Sequence, residues 1–387
     1  MASSPQSKPP EPTSPISSPR CILFRDETQT VFLVDIPTSI EESQVLPGHN
    51  AETTRGGGAP PRRRRLLSVD PVAAPYPLPE PRNTHVNHST PASQVADLMI
   101  EAAVRSALDT LNEDHTAPFC LPRITGDESI TATSGSGDDG RGVQHEFAGR
   151  DAARDEATAA TATHFIPEGS SYLSGSIEEI REAFISTAPL FDLIVLDPPW
   201  PNKSAKRKRG GYATVSGLEE TKMLLEQIPV GGHLADGGLV AIWVTNKASL
   251  IDLLTSPKGI LTAWGLEVAT EWIWVKITSQ GEPIYDIESA WRKPWERLII
   301  AKRRGDNRKI LQRVVAAVPD VHSRKPNLRF LFEDLLPRDF RGLEVFARNL
   351  TAGWWGWGNE VLRFQEHRHW EVEPAQDEES NEPDDTN

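Results

Sequence analysis

One apolar segment of this chain ends in an unusual tetrapeptide. The segment Phe191-Asp192-Leu193-Ile194-Val195-Leu196 has the pattern of a buried strand in a parallel sheet, and Asp197-Pro198-Pro199-Trp200 follows it directly. In open α/β sheets, ligands bind beside the carboxyl ends of the strands. The segment therefore predicts an α/β fold in which Asp197 stands at a ligand site.

Strand and helix patterns alternate through residues 163–370. Apolar runs predict strands at 191–196, 238–244, 267–275, 297–301 and 342–346. Helices are predicted at 176–186, 218–227, 250–255 and 328–336, the first with Ser176 as N-cap and Glu179 completing a capping box. This alternation favours a doubly wound, parallel-rich sheet.

The rest of the chain divides into segments of different composition. Residues 1–20 are predicted to be disordered, and 21–45 to form a small N-terminal β element. A Pro/Gly/Arg-rich linker is predicted at 46–90, an N-terminal helical element at 91–123, a low-complexity linker at 124–162 and an acidic disordered tail at 371–387. The helix at 92–111 would pack through an apolar stripe of Val95, Leu98, Met99, Ala102, Val104 and Leu108.

The acidic charge of the chain lies mostly outside the predicted domain. The formal net charge is −14, but residues 161–370 carry 27 Lys and Arg against 25 Asp and Glu. The last 17 residues alone hold eight acidic and no basic side chains. The overall charge therefore does not exclude a nucleic-acid partner for the domain.

Cysteine content and hydropathy exclude several classes of protein. Cys21 and Cys120 have no metal-ligand spacing and give no disulfide framework, which fits a reducing compartment. The chain opens on a polar, Pro-containing segment that is not a signal peptide, and no apolar run approaches the ~20 residues of a membrane helix. We therefore expect neither a metal site nor a membrane anchor.

The tetrapeptide has the chemistry to hold a planar nitrogen base. Asp197 offers a carboxylate acceptor, and because proline has no N–H, the carbonyl groups around Pro198 and Pro199 are freer to accept from a ligand. Trp200 offers a face on which a base can stack, a contact worth about 1–3 kcal/mol. The alternative is a strand that ends in a stiff turn, with Trp200 in the core.

A second group of polar residues follows a later strand pattern. Arg348 and Asn349 follow 342–346 after one intervening residue, and Asn359 with Glu360 lies one short loop further on. Arg348 alone would be explained by a surface salt bridge, and Asn359 alone by a turn. Their joint placement at the end of a strand favours a site for a polar ligand.

A basic run follows the tetrapeptide after five intervening residues. It comprises Lys206-Arg207-Lys208-Arg209-Gly210-Gly211, with Tyr212 next. One interpretation is a lid that grips phosphate groups and closes Tyr212 over a base, and the other is a solvated loop or nuclear-import signal. The arginines at 62–65 likewise fit an import signal, a nucleic-acid patch or a solvated run.

Several short motifs follow one another along the predicted domain. Besides the text from Phe191 to Ser204, they are Trp243-Val244-Thr245-Asn246, Glu271-Trp272-Ile273-Trp274-Val275-Lys276, His322-Ser323-Arg324-Lys325-Pro326, Ala347-Arg348-Asn349-Leu350 and Trp357-Gly358-Asn359-Glu360. Together they resemble the DPPW-type adenine-N6 methyltransferases, the family of the catalytic subunit that methylates adenosine in mRNA. The resemblance covers about 163–364, and the segment looks most similar to the methyltransferase-like protein four branch.

The resemblance implies a Rossmann-like, S-adenosylmethionine-dependent methyltransferase fold in which the catalytic loop precedes the cofactor loop. It implies that catalysis is carried by Asp197, Pro198, Pro199 and Trp200. The cofactor residues it implies are Ile166, Pro167, Asp197, Lys325, Arg348, Asn349, Asn359 and Glu360. The substrate residues it implies are Asn202, Lys203, Ser204 and Glu296, to which the lid interpretation adds Lys206, Arg207, Lys208, Arg209 and Tyr212. Glu296 fits an ordinary ion pair equally well.

Three functions are compatible with these sequence features. The first is an S-adenosylmethionine-dependent adenine-N6 methyltransferase of nucleic acid, with RNA, and small nuclear RNA in particular, favoured over DNA and the nucleus over the cytosol. The second is a catalytically silent, nucleic-acid-binding scaffold subunit. The third is a small-molecule methyltransferase. The intact Asp197, Arg348 and Asn359 favour the enzyme, and the basic run weighs against a small substrate.

Overall fold

The computed structural model describes residues 19–47, 63–77, 91–126, 163–201, 217–289, 292–322 and 324–373. Its strands are β1 Ile22–Arg25, β2 Val31–Val34, β3 Arg63–Ser68, β4 Ile124–Thr125, β5 Ser171–Ser174, β6 Phe191–Leu196, β7 Leu234–Val244, β8 Leu266–Lys276, β9 Trp295–Arg303, β10 Val314–Ala317, β11 Gly342–Val345, β12 Trp355–Gly358 and β13 Trp370–Glu373. Its helices are α1 Ile36–Ser43, α2 Pro91–Asp114, α3 Ile177–Thr187, α4 Leu218–Glu226, α5 Val230–His233, α6 Ala248–Thr255, α7 Ile260–Ala263 and α8 Arg329–Phe332, and 3-10 turns lie at Arg363–Gln365 and His367–His369.

A ten-stranded sheet forms the centre of the molecule, in the order β1-β2-β10-β8-β9-β7-β6-β11-β12-β5. Strands β7, β6, β11, β12 and β5 pair in parallel, whereas β9 runs antiparallel to both β7 and β8. The predicted α/β class with a parallel-rich sheet is confirmed, and β1 and β9 are its antiparallel strands.

Strand β6 lies inside the sheet and is covered on both faces. Leu193 and Val195 belong to one buried cluster, and Ile194 and Leu196 belong to another on the opposite face. A strand covered on both sides must be apolar at successive positions, as this run is. Asp197 is the first residue beyond it, so its carboxylate stands at the carboxyl edge of the sheet.

Helix α3 begins at the predicted capping box. Ser176 Oγ accepts from the Glu179 backbone N–H at 3.2 Å, and Glu179 Oε2 accepts from the Ser176 backbone N–H at 3.2 Å. The helix buries Phe184, whose ring stacks on Trp357 with 4.5 Å between centroids. Trp272 also lies in the core.

The segments predicted to lie before the domain are partly built into it. Strand β2 is fully buried because it pairs in parallel with β10, so residues 21–45 do not form a separate element. Arg63 to Arg65 belong to β3, which lies in a second sheet with β4 and β13, and not to a linker. Arg64 lies over the Phe165 ring and Arg65 contacts Glu41, so both side chains serve the fold.

Helix α2 packs through a different face from the one predicted. Val95, Leu98 and Met99 are exposed, because at 3.6 residues per turn they lie on the side of the helix opposite the buried residues. Val104 and Leu108, which belong to the predicted stripe, are buried as predicted. The buried side chains of α2 are Ile100, Val104, Ala107, Leu108 and Leu111. The helix predicted at 328–336 is also shorter, since only Arg329–Phe332 is helical.

The last described strand revises the expected start of the acidic tail. Glu371, Val372 and Glu373 pair with Arg65, Arg64 and Arg63 in β3.

Truncation after Trp370 should therefore lower the melting temperature by several degrees, since about 1 kcal/mol shifts it by roughly 2–4 °C in a domain of this size. Truncation after Glu373 should leave it nearly unchanged, and equal melting temperatures for the two truncations would contradict the prediction.

Candidate active site

A cavity at the carboxyl edge of the sheet gathers the predicted polar residues. Asp197 lines it from the end of β6, and Arg348 and Asn349 line it from the loop after β11. Lys325 reaches it from the segment before α8. The parallel pairing of β6 with β11 places both strand ends side by side, so residues far apart in the sequence share one cavity.

Four charged side chains form an ionic chain beside this cavity. Lys325 Nζ lies 3.2 Å from Asp197 Oδ2 and 3.1 Å from Glu296 Oε2. Glu296 Oε1 lies 2.5 Å from Lys276 Nζ. Glu296 thus makes ion pairs with two lysines, and its contact with a substrate stays a prediction. Lys276 was not predicted as a site residue, although it closes a motif that carries the resemblance.

The alternation of positive and negative side chains shifts the pKa values of two members of this ionic chain. Burial raises the pKa of Glu296, but Lys325 and Lys276 outweigh it and lower the pKa to about 2. Burial lowers the pKa of Lys325, but Asp197 and Glu296 outweigh it and the pKa lies above its ordinary value. Glu296 and Lys325 are therefore both charged at neutral pH.

Glu344 is a carboxyl group in the cavity that the sequence analysis did not single out. It lies on β11 opposite Val195 of β6. Burial raises the pKa of Glu344 to about 8, and the charge of Asp197 raises it further, while Lys325 opposes both. Glu344 is thus mostly protonated at neutral pH and adds little negative charge beside Asp197. Its signal in the sequence is a single charge inside an apolar strand.

Trp200 ties the loop after β6 to the neighbouring strand. Its indole N–H donates to the Trp243 carbonyl at 2.8 Å, at the end of β7. Lys247 Nζ donates to the Pro201 carbonyl at 2.7 Å and holds the same loop. The Trp200 ring packs against the core and stays partly exposed. Trp200 therefore has a structural role in holding this loop against the core. Its contact with a base stays a prediction.

Ion pairs and packing hold the loop after β11. Arg348 Nε lies 3.2 Å from Glu360 Oε2, and Glu360 Oε1 accepts from Arg363 Nη1 at 2.7 Å. Ile166 packs against the buried cluster that contains Leu350, so the segment predicted to frame adenine lies beside this loop. Pro167 is buried next to Ile166, and Asn359 is exposed in the turn after β12.

The predicted lid lies outside the described residues. The substrate residues that lie outside the described residues are Asn202, Lys203, Ser204, Lys206, Arg207, Lys208, Arg209 and Tyr212.

Across the described ranges, no group of three or more His, Cys, Asp or Glu side chains could hold a metal ion. No helix in this part of the chain is both long and apolar enough to cross a membrane.

Comparison with known proteins adds independent findings. The MT-A70 family profile matches residues 191–360. The N6-methyladenosine RNA methyltransferase MTA1 of Cryphonectria parasitica is 45% identical over 353 residues, which cover 91% of this chain and 94% of that protein. Human METTL4, an N(6)-adenine-specific methyltransferase, is 35% identical over 215 residues, covering 52% and 44%. A Caenorhabditis elegans DNA N6-methyl methyltransferase is 36% identical over 206 residues, covering 52% and 54%.

Proposed function

Because the chain belongs to the MT-A70 family and is an adenine-N6 methyltransferase, we propose that it transfers the methyl group of S-adenosylmethionine to adenosine in RNA. The observation that carries the proposal is the single cavity in which Asp197, Lys325, Arg348 and Asn349 meet. RNA is favoured because the relative that aligns with 91% of this chain is named an RNA methyltransferase.

The cavity has the groups that S-adenosylmethionine requires. Lys325 is a cation suited to the carboxylate of the methionine part, and Arg348 and Asn349 offer planar donors and an acceptor for the ribose. Asn359 and Glu360 would hold the adjoining parts, and Ile166 and Pro167 would frame the adenine. The bound cofactor supplies a methyl group on a sulfonium, which leaves the protein to position the acceptor amine.

Asp197 is the residue that would act on the amine. An adenine amino group is a weak nucleophile, because its lone pair is delocalised into the ring. Asp197 and the Pro198 carbonyl would accept its N–H groups and let the nitrogen pyramidalise, and the proton released on methylation would leave through Asp197. Pro199 stiffens the loop, and Trp200 would stack on the base. Such catalysis rests on positioning and electrostatics.

The substrate class and the location are further parts of the proposal. The resemblance to the methyltransferase-like protein four branch favours small nuclear RNA, and with it the nucleus. DNA is the second candidate, because a relative in Caenorhabditis elegans is named a DNA methyltransferase. In either case the basic residues Lys206, Arg207, Lys208 and Arg209 would grip phosphate groups without reading sequence, Tyr212 would cover the base, and Asn202, Lys203 and Ser204 would lie beside it.

Methylation of matched oligonucleotides tests the proposal. The protein is incubated with labelled S-adenosylmethionine and with RNA and DNA of the same sequence, and the products are digested to nucleosides. We expect label in N6-methyladenosine from RNA. Label only in N6-methyldeoxyadenosine would contradict the RNA assignment, and binding of RNA without label in any nucleoside would favour a silent scaffold.

Replacing Arg348 by Ala should weaken S-adenosylmethionine binding about tenfold and leave nucleic-acid binding nearly unchanged. The reason is that a charge-assisted hydrogen bond contributes roughly 1.5–3 kcal/mol and Arg348 lines the cavity beside Asn349. Calorimetry gives the cofactor affinity. Arg308→Ala removes an exposed ion pair with Asp306 and serves as the control. Unchanged cofactor affinity in a folded Arg348 variant would refute the role.

A further inference from the structure

Gln365 is a completely buried side chain that touches both parts of the proposed cofactor site. Its Oε1 accepts from the Leu350 backbone N–H at 3.1 Å. Its Nε2 donates to Gln44 Oε1 at 3.0 Å and also to the Phe165 carbonyl. Gln365 ends the 3-10 turn Arg363–Gln365 and lies beyond the residues that match the family profile.

Gln44 completes the arrangement from the N-terminal part of the chain. It follows α1 directly, and its Nε2 donates to the Leu350 carbonyl at 2.8 Å. Leu350 thus has its N–H bound by Gln365 and its carbonyl bound by Gln44. The Leu350 N–H can only donate and its carbonyl can only accept. Gln365 must therefore present its Oε1 to the N–H, and Gln44 must present its Nε2 to the carbonyl.

These bonds connect three segments that are distant in the sequence. Leu350 directly follows Asn349 in the loop proposed to bind ribose, and Phe165 directly precedes Ile166 in the segment proposed to frame adenine. The Phe165 backbone N–H donates to the Gln365 carbonyl at 2.7 Å, so the two residues are joined twice. The junction is reinforced where Ala352 N–H donates to the Ser43 carbonyl at 2.8 Å.

We propose that Gln44 and Gln365 are a pair of positioning residues that fix the distance between the adenine-binding and ribose-binding segments of the cofactor site. The inference rests on the proposed function. Both amides are buried and fully engaged, and a satisfied buried network holds its members in one arrangement. Sites that bind a rigid ligand depend on such support, because small displacements of the contacting groups weaken binding.

Replacement of either glutamine by Met keeps the side-chain volume and removes the amide. Leu350 then loses a partner for one buried backbone group, and the loop must shift toward water or leave that group unpaired. The cofactor should bind less tightly to the displaced loop. The methyl-transfer step should proceed at its normal rate once the cofactor is bound, because Asp197 and its ionic chain lie on other segments.

The test compares Gln44→Met, Gln365→Met and the double variant in the full chain. S-adenosylmethionine affinity is measured by calorimetry, together with KM and kcat at saturating RNA. We expect each single variant to weaken affinity and raise KM about tenfold, with kcat changed less than twofold. The double variant should be little worse than either single variant, because both changes free the same residue, Leu350.

Thr278→Val provides the matched control. Thr278 is a completely buried side chain whose Oγ1 accepts from the Gln280 and Glu282 backbone N–H groups at 3.2 Å, in a loop that does not line the cavity. It should lower the melting temperature without changing cofactor affinity. If the glutamine variants also lower only the melting temperature, or if their effects on affinity add fully, the pair is structural and the proposal is overturned.

Hydrogen exchange on the unaltered protein covers the case in which the variants fail to fold. Addition of S-adenosylmethionine should slow exchange in peptides that contain residues 40–46 and 362–366, although Gln44 and Gln365 are not proposed to touch the cofactor. Unchanged exchange in both peptides, with calorimetric binding intact, overturns the positioning role. Absence of calorimetric binding to the unaltered protein would instead contradict the proposed function, and this inference with it.

Discussion

Asp197→Ala should reduce the rate of methyl transfer at least thirtyfold and leave S-adenosylmethionine affinity within about fivefold of the unaltered protein. The loss of an acceptor placed at a reacting group costs roughly 2–4 kcal/mol of transition-state stabilisation. The fold should tolerate the change, because Lys325 keeps Glu296 as a partner at 3.1 Å. The cofactor affinity should change less than the rate, since the ribose and adenine are held by other segments.

Asp192→Ala is the matched control for this variant. Asp192 lies on the same strand, and its Oδ2 accepts from the Arg341 backbone N–H at 2.8 Å, near the opposite end of β6 from Asp197. It should lower stability slightly and keep the rate. Rates are compared at saturating cofactor and substrate, so that binding defects do not enter. Retention of more than a tenth of the normal rate by Asp197→Ala would rule out its catalytic role.

The catalytic strand could be predicted because its signal is local. Residues 193–196 are apolar at successive positions, which requires a strand covered on both faces, and β6 has the predicted bounds 191–196. The capping box at Ser176 fixes the start of α3 in the same way, since both of its hydrogen bonds join residues three apart. Such features depend little on the rest of the fold.

Three strands of the main sheet escaped prediction because they are short and their sequences carry no period. Val314–Ala317 has four small apolar residues, and Trp355–Gly358 alternates Trp with Gly, which weakens the strand signal. Ser171–Ser174 is mostly polar and lies at the edge of the sheet. Each becomes a strand because a neighbouring strand offers an unpaired edge, and that edge is a property of the tertiary structure.

The same distinction between local sequence signals and tertiary contacts applies to the residues of the site. Asp197, Arg348 and Asn349 were predicted because each follows a strand pattern, and the structure brings them to one cavity. The ionic chain could not be derived from the residues alone, because Lys325 and Asp197 are separated by 128 positions in the sequence. Gln44 lies further still from its partner Gln365. Contacts of this kind follow from the packing of α1 and the loops, which no local pattern encodes.

Lys325→Met should weaken S-adenosylmethionine binding at least thirtyfold, because it removes the cation proposed to hold the cofactor carboxylate. It also takes away the charge that lies between Asp197 and Glu296. Removing one member of a partly buried ion pair typically costs several kcal/mol, since the remaining charge stays poorly solvated. The pKa of Glu296 should rise from about 2 toward its ordinary value, since Lys276 alone then opposes the effect of burial.

The double variant Lys325→Met/Glu296→Gln separates stability from binding. It should melt at a higher temperature than Lys325→Met, because that variant leaves two carboxylates, Asp197 and Glu296, with one lysine, whereas the second change leaves one charge of each sign. It should not regain cofactor affinity, because no cation returns to the cavity. Lys276→Met is the control, since Lys276 contacts Glu296 and not the cavity, and it should weaken the cofactor less than fivefold. Recovery of affinity in the double variant would show that Lys325 acts only by neutralising Glu296, and the cofactor carboxylate would then need another partner.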